Sequence, residues 1–84
     1  MKNRPSMKTL TMYFKRIASE VLKVECDKET IDKYAKVAKR MMENKPEPRE
    51  HLNELTYLFG CEFGANIATE ELVVALLDEI GREE

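Results

Sequence analysis

Apolar residues recur along this chain at spacings of three and four. After Pro5 and Ser6, the stripe Met7, Leu10, Phe14, Ile17, Val21 and Val24 runs without a break, widened by Tyr13, Ala18 and Leu22. That period lays one face of an amphipathic helix over about 7–24, with Ser6 as its N-cap. Asp27 is placed to cap a second helix, with Glu29 in its first turn, where a negative charge meets the positive helix end. Ile31, Tyr34, Ala35, Ala38, Met41 and Met42 give it an inner face over 28–44. The pairs Glu29/Lys33, Asp32/Lys36 and Lys39/Glu43 are spaced to form i,i+4 ion pairs on its outer side. Lys-Pro-Glu-Pro cannot continue it.

Pro48, preceded by Glu47, suits the first position of a third helix, and Leu52, Leu55, Phe59 and Phe63 carry its stripe. Its end is marked by FGCEFG, residues 59–64, where two of the three glycines lie four apart. Gly64 as the left-handed terminator ends the helix near 63 and leaves a short link to Thr69, an N-cap for a last helix over 70–80. The alternative runs the helix on to Ile67 and makes a small-residue face of Gly60, Cys61, Gly64, Ala65 and Ala68. Under either reading Gly60 lies inside the helix, which points to close packing there, and a leucine in its place is expected to disrupt the fold. Gly81 reads as the terminator of the last helix, beside Arg82.

No strand-period segment, repeat or low-complexity tract interrupts this pattern. The fold expected is all-α, a compact bundle or orthogonal array of four helices, about 7–24, 28–44, 48–63 and 70–80. Residues 1–5 read as an N-terminal tail and 6–84 as one helical domain, as 84 residues allow.

Charge changes this picture more than composition does. The net charge is −2. Residues 1–24, however, hold six basic residues against Glu20 alone, and residues 51–84 hold eight acids against Arg82 alone. Such asymmetry suits a basic contact surface, or two halves that attract each other when folded. The basic residues Lys8, Lys15, Arg16, Lys23, Lys36 and Arg40 on the first two helices form a candidate nucleic-acid surface. The last helix, EELVVALLDEI, has four acids and no base. It would repel DNA, so the pair of final helices is not read as a DNA-reading motif.

Candidate chemistry is sparse. His51 is the only histidine, near Glu47, Glu50 and Glu54, without the doubled spacing of a di-metal helical site. Cys61 lies ten residues beyond His51 on the same helix, roughly 15 Å along its axis, so the two cannot form a nucleophile and base within it. No phosphate-cradling, hydrolase or zinc motif occurs. No metal, cofactor or catalytic residue is assigned. Two cysteines without a CxxC read as reduced thiols of a cytoplasmic protein. No apolar run of signal-peptide length follows the basic N-terminus, and the longest run, residues 72–77, is far too short to span a bilayer.

That apolar run covers every side of its helix, because successive residues are 100° apart. Either the helix is central to the bundle, or one side meets another chain. The expected contact surface is therefore Leu72, Val73, Val74, Leu76 and Leu77, with Glu70 and Glu71, docking on a partner protein or on a second copy in a homodimer. In size, lopsided charge and lack of catalytic motifs the chain resembles the small accessory proteins of phages and other mobile elements. Many of those bind and inhibit a larger host protein. The likeness implies a regulatory interaction protein. A nucleic-acid-binding module and a structural component of a larger assembly, such as a virion, are the two other readings.

Overall fold

The computed structural model describes residues 5–44 and 48–83; the first four residues of the tail expected at 1–5, the Lys45–Glu47 connection and Glu84 lie outside the described residues. The helices are α1 (Met7–Arg16, extended by a π-helical segment, Ile17–Leu22), α2 (Lys28–Asn44), α3 (Pro48–Glu62) and α4 (Glu70–Glu83). Among the described residues there is no strand. Each helix packs on its neighbours in sequence, and α1 also packs on α4, which closes a ring of four. The all-α bundle expected from the periodicity is the fold observed.

The caps follow the chemistry of the residues at the helix ends. The Ser6 hydroxyl accepts from the Thr9 N–H at 3.2 Å. The Asp27 and Thr69 carbonyls accept the first intrahelical bonds, from Ile31 and Val73. The third helix ends as the first of its two readings requires. Gly64 sits at φ +72°, its N–H bonds to the Cys61 carbonyl, and the Ala65 N–H reaches back to the Gly60 carbonyl at 3.0 Å. This is a Schellman end with glycine in the left-handed position.

Gly60 is buried, but the packing on it differs from that expected. A Cβ there would lie 3.3 Å from Ile67 and 3.5 Å from the Ala65 carbonyl, so its nearest neighbours belong to the returning connection rather than to another helix. Gly64 has open space around it; its backbone angle is what requires glycine. Gly81 does not terminate the last helix, which runs through it to Glu83. One helical glycine so near an end costs about 1 kcal/mol relative to alanine, too little to force a stop there.

The first helix departs further from its expected form. From Ile17 the backbone widens into π geometry, a rare conformation in which hydrogen bonds span five residues. Lys23 then turns left-handed, φ 55° and ψ 47°, with its N–H on the Ala18 carbonyl, and the Val24 N–H reaches the same carbonyl at 2.9 Å. The helix therefore stops at Leu22, two residues short of the stripe's end.

The middle of the ring is aromatic. Phe14 of α1 and Phe59 of α3, across the ring from each other, meet edge to face at 5.1 Å, and Tyr34 of α2 contacts both. Tyr13 and Phe63 extend the cluster at either side. Beside it lies a buried polar relay. The Thr56 hydroxyl donates to the Leu52 carbonyl at 2.8 Å and lies 2.8 Å from the Tyr13 hydroxyl. One hydroxyl has one proton, so Tyr13 is the donor to Thr56. Burial pushes the Tyr13 phenol well above its ordinary pKa, which keeps that proton in place.

Two measurements check these features. Tyr13→Phe removes one donor and should cost about 1 kcal/mol in urea unfolding. Thr56→Val strands the Tyr13 hydroxyl in the core and should cost about 1–3 kcal/mol, part of it recovered in the double variant. A Thr56→Val penalty below that of Tyr13→Phe would reverse the donor assignment. Lys23→Gly should be neutral to about 1 kcal/mol stabilising. Relief of left-handed strain is partly offset by the added freedom of the unfolded chain. A marked loss would show that the lysine side chain itself holds the turn.

Candidate interaction surfaces

The apolar run of α4 is mostly consumed by the chain's own core. Val73, Leu76, Leu77 and Ile80 are buried, and Leu72 is half-buried against them. Of the expected docking residues, Val74 stays 37% exposed, with Glu70 and Glu71 exposed beside it. The helix has neighbours on two sides, α1 and α3, and this leaves only a narrow outer face. Val73, Leu76 and Leu77 are thus unavailable to a partner while the fold is intact.

A more exposed apolar feature lies on α3. Tyr57 and Leu58 are 45% and 55% exposed, the largest values among the exposed large hydrophobic residues of the described chain. They line a groove of about 390 Å³ with Asn53, Glu54 and Thr69. The Asn53 Oδ1 is buried there without a hydrogen-bond partner. The sequence reading named none of these residues as a site. The signal was present, because 57 and 58 fall off the stripe of 52, 55, 59 and 63, so an aromatic ring and a leucine had to face outward.

The basic residues do not gather into one surface. Lys15 lines a groove with Ala18, Cys26 and Ile31, whereas Lys36 and Arg40 line another, of about 690 Å³, whose floor holds Met7 and Val37. Lys8 and Lys23 are exposed elsewhere on the first helix and its turn. Arg16 is engaged within the chain. Its Nε donates to Glu20 at 2.6 Å and its guanidinium also reaches Glu79 of α4 at 3.1 Å. The second contact joins the basic start of the chain to its acidic end. The ion pairs expected along α2 are not formed. Lys33 instead lies over the Tyr34 ring at 5.8 Å, and Lys39 donates to the Pro5 carbonyl.

The thiols are poorly placed for nucleophilic chemistry. Burial pushes the half-buried Cys26 thiol up, and Asp27 and Glu62 add to the effect. A reactive cysteine needs the opposite shift. Burial also raises the Tyr34 phenol, and the nearby Glu62 carboxylate adds to the effect. Cys61 is exposed and His51 half-buried. Among the described residues no three histidines, cysteines or acids are grouped to hold a metal ion; Glu47 lies outside them. No helix of the described chain is long and apolar enough to cross a membrane.

Comparison with protein-family models, with curated proteins and with solved structures finds no match for this chain.

The Arg16 guanidinium, hydrogen-bonded to Glu20, holds that carboxylate below its ordinary pKa. A depressed pKa contributes stability above the ordinary carboxylate value, and that contribution is lost as pH falls through the lowered one. Arg16→Gln should return the Glu20 titration, followed by carboxyl NMR shifts, to the ordinary range. An unmoved midpoint would show that the pair is not maintained in solution.

Proposed function

We infer that this is a small non-enzymatic interaction protein that docks an outer helical face on a partner and regulates it. The observation that carries this reading is the outward pair Tyr57 and Leu58 on a helix whose other face is already fully used in the core. Aromatic and aliphatic side chains exposed together, beside a polar groove, are what a partner's apolar anchor needs. The resemblance in size and charge to the accessory proteins of phages and other mobile elements implies a cytoplasmic protein whose docking inhibits a larger host protein. Engagement of Arg16 within the chain weighs against a nucleic-acid role for the first helix.

Leu58→Asp tests it. The substitution is at the surface and should change stability by no more than about 0.5 kcal/mol. Proteins retained by the immobilised native chain should be lost from the variant. Identical retention by both would remove the reading.

A further inference from the structure

A second face is built for a different occupant. The groove between the start of α1 and the outer side of α2 has an apolar floor, Met7 and Val37, with Val37 39% exposed. Its rim carries Lys33, Lys36, Lys39 and Arg40, and two acids, Glu29 and Asp32, lie toward the start of α2. The rim is therefore net positive around an apolar strip. Neither Lys33 nor Lys36 is neutralised by the acid four residues before it.

The outer face of α4 is its complement. Glu70 and Glu71 are exposed in the first turn, and exposed Val74 and Ala75 follow one turn on. In this chain α2 and α4 stand across the ring from each other, so their outer faces point away in opposite directions. A chain cannot fill its own groove with its own α4.

We propose that the α2 groove takes the α4 outer face of a second copy of this chain, with Val74 over Val37 and Glu70 and Glu71 among the rim lysines. The contact is head to tail, because each copy offers its groove to one neighbour and its α4 to another. Such contacts generate rings or open strings rather than two-fold dimers. Phosphate-bearing ligands fit less well, because they have no apolar part to set against Met7 and Val37. The attraction is between exposed charges and is screened by salt.

Sedimentation velocity of the full chain tests this at about 0.05 M and about 0.5 M salt, across which screening of exposed pairs changes strongly. At low salt the sedimentation coefficient should rise with concentration beyond that of a dimer, and at high salt it should fall to that of a monomer. Lys33→Glu/Lys36→Glu and Glu70→Lys/Glu71→Lys should each be monomeric alone, with helical circular dichroism retained. Mixed in equal amounts, the two variants should associate again, since the acidic groove of one meets the basic α4 of the other. Four results overturn the proposal: a monomer at every concentration, an association indifferent to salt, one that ends at a dimer, or a mixture that stays dissociated. Groove-dependent retention of a DNA or RNA oligonucleotide without self-association also overturns it. Leu58→Asp lies on a separate face and should leave the association unchanged. Monomeric behaviour would therefore remove the self-docking groove while leaving the Tyr57–Leu58 reading to its own test.

Discussion

Phe14 against Phe59 is the contact on which the rest of this structure depends. Four helices in a ring leave a central space that only large side chains from opposite members can fill. The chain has six aromatic residues and places five of them in or beside that space. Edge-to-face rings fill it at ordinary separations and bring Tyr34 of α2 into the same cluster. With that space filled by α1, α2 and α3, the remaining helix needs only one apolar edge, and α4 supplies it through Val73, Leu76, Leu77 and Ile80. The hydroxyls of Tyr13 and Thr56 lie next to the rings and satisfy each other, so the polar ends of these residues carry no desolvation debt.

Most of this architecture was legible in the residue pattern. Leu10, Phe14 and Ile17 of the first stripe and Ile31, Tyr34, Ala35, Ala38 and Met42 of the α2 face are buried, with Met7, Val21, Val24 and Met41 half-buried against them, and Ser6 caps where a serine before a periodic run should. The two readings of FGCEFG were separated by the left-handed angle of Gly64, a property that glycine permits but does not announce. The π segment had no signature of its own, since Ile17, Val21 and Val24 fit an α period. Gly81 misled because a terminator and a tolerated helical glycine look the same when the next residues are polar.

The surfaces were less legible, for a physical reason. A run such as LVVALL says how much apolar area a helix has, not how much of it neighbours will cover. Its reading as a contact surface failed for Val73, Leu76 and Leu77 because the ring closes α1 on α4. Tyr57 and Leu58 lie off the inner stripe of α3, so the period places them outside without saying whether anything meets them there. Charge spacing also overstated pairing: side chains four apart can meet, but the lysine over Tyr34 and the one bound to Pro5 found other partners.

The closing contact between α1 and α4 has a consequence for the order of folding. Arg16 and Glu79 are 63 residues apart, whereas the aromatic cluster is complete once α3 has been made. Short-range pairings between successive helices need only small loops, and their closure entropy is modest. The first three helices can thus assemble their shared interior before α4 docks on them. Until it does, such a three-helix unit shows solvent the flank that α4 later covers, so its hazard during folding is an uncovered side rather than an unformed centre.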